Sequence, residues 1–97
     1  MKQPTDCENM FEIREAIDSL DEEIIHLLGQ RYQYVKAAAK FKTSQTDVKA
    51  PERFRQMLLQ RRAWAVDEGL NPDVIEKLYA DLVNYFIAEE LEQWQRE

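Results

Sequence analysis

Glycine and proline are scarce in this chain, two and three among 97 residues, and that argues against a turn-rich β fold. Cysteine and histidine occur once each. A lone Cys7 has no internal disulfide partner, which suits a reducing cytoplasm, and a lone His26 cannot build a His/Cys metal site. Positive charge is in deficit: 13 Lys and Arg face 19 Asp and Glu, for a net charge of −6. That balance argues against nucleic acid or an anionic membrane surface as partner. No apolar run approaches the ~20 residues of a membrane span, and the N-terminus carries no apolar signal region. A Gly-rich phosphate loop and any Ser/His/Asp or Cys/His grouping are also missing, which leaves no obvious covalent nucleophile. What is present is 44% hydrophobic residues with 10% aromatics, enough for a folded chain, and residues 1–97 are expected to form a single domain, or part of one.

The chain is organised around the stretch from Phe11 to Lys42. Ile13, Ile17, Leu20, Ile24, Leu27, Arg31, Tyr34, Ala38 and Phe41 alternate in steps of four and three. This is a heptad seam of about four repeats, the pattern of a long helix packed on other helices. A helix from about Asp6, capped by Thr5 or Asp6, to Lys42 would extend ~50 Å. A compact domain of this size has a radius of gyration of only ~12–13 Å. The economical solution is an interlocked homodimer in which two long helices cover each other's seams. An elongated monomeric hairpin is the alternative.

Residues 43–50 (TSQTDVKA) are polar and turn-favouring and are expected to form a loop. A second helix should start at Pro51 with the stripe Phe54, Met57, Leu58, Arg61 and Ala65, and stop at Gly69. A third should open at Asn71-Pro72-Asp73 and run through Leu78, Leu82, Phe86, Glu90 and Trp94. The expected fold is therefore all-α, with one long and two shorter helices.

Two charges stand on these apolar faces, Arg31 and Glu90. Arg31 either sits where the seam is open to water or faces an anion inside a bundle. Lys42 lies three helical turns further on, ~16 Å away along one continuous helix, so the pair could grip a small dianion. Arg14 is ~25 Å before Arg31 on that helix. It either pairs with Asp18 at the surface or, in an antiparallel dimer, comes alongside the other copy's Arg31. Arg53 stands on the first turn of the second helix, while the other arginines of that helix read as surface. Glu90 either snorkels outward or lines the pocket. His26 and the acids Glu15, Asp18, Asp21, Glu22 and Glu23 read as a solvated face. Cations and one carboxyl in a bundle can bind a polycarboxylate, favour one conformer and stabilise charge as a bond breaks. A non-catalytic helical dimer or binding module would account for the same spacing.

The chain as a whole resembles the small all-helical chorismate mutases, and within them the isochorismate pyruvate lyase branch. The likeness rests on Asp6-Cys7, Ile13 to Asp18, Arg31 with Tyr34 to Ala38, Phe41-Lys42, Ala50 to Arg53, Ala63-Trp64-Ala65, and Ile87-Ala88-Glu89 with Trp94. It implies an intertwined dimer with two equivalent sites and no cofactor or metal. Each site would take Arg31, Lys42, Arg53 and Glu90 from one copy and Arg14 from the other, with Phe86 and Ile87 beside Glu90. By family role Arg14 and Arg31 hold the substrate's two carboxylates, and Lys42 contacts the enolpyruvyl side chain near its ether oxygen. The mutases usually carry a glutamate where this chain has Phe54 and often a small polar residue where it has Phe86, which favours the lyase branch. Glu90 departs from the glutamine of the lyases, and the expectation is that it works as a protonated carboxyl. The implied reaction is the cofactor-free conversion of isochorismate to salicylate and pyruvate, in a salicylate or siderophore pathway of the cytoplasm. Chorismate mutase activity, giving prephenate, is the first alternative and an expected weak side activity.

Overall fold

The computed structural model describes residues 2–96, with side chains through residue 93. Trp94, which the sequence pattern puts beside Glu90, lies outside the described side chains. Every regular element among the described residues is helical: α1 Met10–Ala38, α2 Gln45–Lys49, α3 Pro51–Asp67 and α4 Pro72–Arg96, with short 3-10 turns at Pro4–Asp6 and Ala39–Phe41.

Helix α1 starts later than expected. Thr5 and Asp6 belong to the 3-10 turn, closed by Asp6 N–H on the Gln3 carbonyl at 2.9 Å. The cap is Asn9, whose Oδ1 accepts the Glu12 N–H at 2.9 Å, while the Glu12 carboxylate reaches back to the Glu8 N–H at 3.0 Å. The first bond satisfies an amide that the helix itself leaves open, and the second ties the residue before the cap to the first turn. The far end is also earlier than expected. After Ala38 the backbone tightens into the 3-10 turn, and Lys42 leaves it extended, at φ −99° and ψ 135°. Lys42 is therefore not on the helix that carries Arg31.

The stretch expected as a loop contains α2. Ser44 caps it, its Oγ accepting from Asp47 N–H at 3.1 Å, and Val48 is buried. Ala50 ends α2 with φ +38° and ψ 62°. Its N–H bonds the Thr46 carbonyl at 2.8 Å, and the chain turns there through the left-handed region at a cost of ~1–2 kcal/mol for alanine. Helix α3 begins at Pro51 as expected. It ends in a Schellman motif: Leu70 N–H bonds the Ala65 carbonyl at 2.8 Å and Gly69 N–H the Val66 carbonyl at 3.1 Å, with Gly69 at φ +75°. Asn71 then caps α4, its Oδ1 accepting the Asp73 N–H at 2.9 Å.

The chain divides into two compact units, Met1–Tyr34 and Val35–Glu97. In the first, α1 buries none of its residues, and Ile17, Leu20, Ile24 and Leu27 are about half exposed. In the second, α3 packs on α4, and α2 packs on α4 as well. The buried residues Val48, Met57, Ala65, Phe86 and Glu90 all belong to this unit. Leu78, expected on the inner stripe of α4, is half exposed, and the inner face instead runs through Tyr79, Leu82, Phe86 and Glu90. Two α3 arginines expected at the surface tie α3 to α4. Arg61 lies over the rings of Trp64 and Tyr79, at 4.7 and 5.6 Å. Arg62 donates to Asp73 at 2.8 Å and stands 3.5 Å from Glu76, and the Asp73 bond raises its pKa above the ordinary arginine value.

Candidate active site

Among the described residues, Glu90 is the charged one buried in the core of the second unit, 6% exposed, one turn beyond Phe86 on the inner face of α4. The Lys42 ammonium stands 3.4 Å from its Oε2. That oxygen accepts no hydrogen bond, so the two groups meet as an ion pair. Burial of a carboxylate is costly without a cation or donors, and Lys42 supplies the cation. The pair therefore places positive charge and an acceptor with unused capacity one helical turn from the buried Phe86. Ile87, the next residue, is half-buried.

Lys42 also lines a cavity of about 540 Å³, together with Phe41, Thr46, Asp47, Pro51 and Arg53. Three elements supply these groups. The 3-10 turn after α1 delivers Lys42, α2 delivers Thr46 and Asp47, and the first turn of α3 delivers an exposed Arg53. Asp47 is held below the usual carboxylate range, first by the Thr43 backbone N–H, then by the Thr43 hydroxyl, with Ser44 and the Lys42 charge adding to the effect.

Of the expected site residues, the fold brings Lys42 and Glu90 into contact, sets Phe86 beside Glu90 in sequence register, and puts Arg53 on the Lys42 cavity. Arg14, exposed, and Arg31, half-buried, lie in the first unit on α1, ~25 Å apart along the helix. One copy of α1 cannot close both around one small ligand. His26 is exposed and pairs with Gln30 at 3.2 Å. Among the described residues no group of three or more His, Cys, Asp or Glu is placed to hold a metal ion. No described helix is long and apolar enough to cross a membrane.

Sequence reasoning passed over Thr43 and Asp47. The signal was there: Ser44 followed three residues later by Asp47, just before apolar Val48, is an N-terminal capping pattern. Five residues are too few for a hydrophobic period to mark the helix behind it.

The chorismate mutase type II family profile matches residues 13–91. The chain is 44% identical over 96 residues to an isochorismate pyruvate lyase of Pseudomonas aeruginosa, covering 99% of this chain and 95% of that protein. It is 36% identical over 83 residues to the T-protein of Haemophilus influenzae, covering 84% of this chain but 21% of that protein.

Proposed function

We propose that this chain, which belongs to the chorismate mutase type II family, is an isochorismate pyruvate lyase. The observation that carries the reading is the near full-length match, 44% identical, to a lyase of that name. The reaction splits isochorismate into salicylate and pyruvate. The ether C–O bond breaks, a ring hydrogen moves to the enolpyruvyl methylene carbon to make the methyl of pyruvate, and the ring becomes aromatic. No redox partner or added nucleophile is needed. The work left for the protein is to hold one conformer and to stabilise charge at the departing oxygen. Lys42 is the group for that charge, Arg14 and Arg31 bind the two carboxylates, and Arg53 stands at the edge of the site.

The ~25 Å between Arg14 and Arg31 on one helix supports an assembly in which two copies share each site. The working form is an intertwined homodimer, one chorismate-mutase-like domain per chain, in which Arg14 of one copy completes the site of the other. The half-exposed seam of α1 supports this, because Ile17, Leu20, Ile24 and Leu27 offer a second copy an apolar face. A cytoplasmic enzyme of salicylate or siderophore synthesis fits the lone, unpaired Cys7 and the acidic composition.

Glu90 takes part as a hydrogen-bond donor to the ether oxygen. Its burial one helical turn from Phe86 supports that role, whereas the Lys42 ammonium 3.4 Å from its Oε2 favours the carboxylate, so the donor role requires Lys42 to turn from Glu90 to the substrate. Glu90→Gln keeps a donor at the position, so turnover is expected to stay within about threefold of wild type. A loss of about a hundredfold would mean that the site needs the carboxylate instead.

A second reading, chorismate mutase, is favoured by the family match and takes its place as a weaker side activity of the same site. The test is a paired assay on purified protein, with isochorismate followed by salicylate fluorescence and chorismate by loss of absorbance. Fast salicylate release with slow chorismate loss is expected. The opposite ratio makes the protein a mutase, and a folded dimer silent on both substrates makes it a binding module.

A further inference from the structure

We infer that Asp47 is a positioning residue for Lys42, acting through a clip on Thr43; the inference rests on the lyase reading above. Thr43 directly follows Lys42, and its N–H and hydroxyl both donate to Asp47 Oδ2, at 3.0 and 2.8 Å. Ser44 Oγ accepts the Asp47 N–H in return, at 3.1 Å. Residues 43, 44 and 47 thus close a ring of bonds around the first turn of α2. That turn is anchored: Val48, next to Asp47, is 3% exposed, and α2 packs on α4, the helix that carries Glu90.

Lys42 needs such a tie. It stands in extended backbone after the 3-10 turn, where its N–H bonds the Ala39 carbonyl at 3.1 Å. Its ammonium sits at the end of a flexible four-carbon stem with many rotamers. Fixing the backbone of the next residue sets the direction in which that stem leaves the chain, and so the volume its ammonium can search around Glu90. A cap that served the fold alone would change stability when removed and leave turnover per folded site untouched. A clip that aims Lys42 changes turnover.

The experiment compares wild type with Asp47→Ala and Asp47→Asn in the full chain. It reads kcat and KM on isochorismate, the thermal midpoint, and the rate at which acetic anhydride modifies Lys42 relative to exposed Lys77, by mass spectrometry. Asp47→Ala is expected to lower kcat about tenfold with KM within about twofold, and to raise the Lys42 to Lys77 ratio several-fold. Asp47→Asn keeps an oxygen that can accept both Thr43 bonds, and is expected to restore most of kcat and the wild-type ratio. The inference is overturned if Asp47→Ala moves only the thermal midpoint, or if Asp47→Asn is as damaging as Asp47→Ala. A wild-type chain inactive on isochorismate would defeat the lyase reading instead. The modification ratio then decides the clip by itself, and a ratio unmoved by Asp47→Ala refutes it.

Discussion

Helices α1 and α4 carry apolar stripes of similar regularity, yet they end in different environments. On α4, Phe86 and Glu90 are each 6% exposed. On α1, Ile24 and Leu27 are each 52% exposed, and no residue of the helix is buried. The difference lies in what arrives to cover each stripe. Helix α3 is delivered to α4 by a short link whose Schellman end and Asn71 cap set the turn. The heptad seam of α1 specifies a face of the right chemistry and leaves its cover to a second copy in the proposed dimer.

The sharpest way to break that contrast is to charge the seam. Ile24→Glu would bury an unpaired carboxylate twice in a two-fold dimer, at roughly 3–5 kcal/mol each. The expected outcome is a monomer by sedimentation velocity and loss of salicylate production, because Arg14 can no longer reach the other copy's site. Were the seam solvated in the working protein, the change would fall within about 0.5 kcal/mol and leave the sedimentation unaltered. The matching change in the second unit is Phe86→Ala. It removes a buried ring from the α3–α4 core and is expected to lower stability by ~3–5 kcal/mol, read as a shift of the urea midpoint at fixed protein concentration. A shift below about 1 kcal/mol would mean that Phe86 stands in a pocket wall that tolerates a void.

How much of this was legible in the sequence depends on how local each signal is. The start of α3 at Pro51, its stop at Gly69 and the start of α4 at Asn71-Pro72 were readable, since each is decided by one or two residues whose backbone chemistry allows little else. The start of α1 was misplaced because Thr5, Asp6 and Asn9 are all competent caps. The choice of Asn9 depends on Glu12 reaching back to Glu8. The end of α1 was misplaced because a 3-10 turn preserves a three-residue spacing, so Phe41 stays in step with the seam after the α-helix has ended. For the site, Glu90 was visible as a carboxyl on an apolar face, but its meeting with Lys42 is tertiary and no spacing announces it. The roles of Arg14 and Arg53 came from family resemblance, since an isolated surface arginine carries no signal of its own.

The two glycines give the smallest test of the same contrast, and one in which the sign differs between the units. Gly69 holds φ +75° at the end of α3, and a Cβ built there would meet nothing within 4 Å. The cost of Gly69→Ala is therefore backbone conformation alone, about 1 kcal/mol of lost stability for a left-handed alanine. Gly29 lies inside α1, five residues after Ile24, on the outer side away from the seam, and a Cβ there also meets nothing within 4 Å. Here the helical backbone already suits alanine, so Gly29→Ala is expected to gain about 0.5–1 kcal/mol. Urea midpoints of the two variants should move in opposite directions. Gly29→Ala losing stability instead would place another surface against the outer side of α1, and the seam would then not be the only face of that helix covered in the working protein.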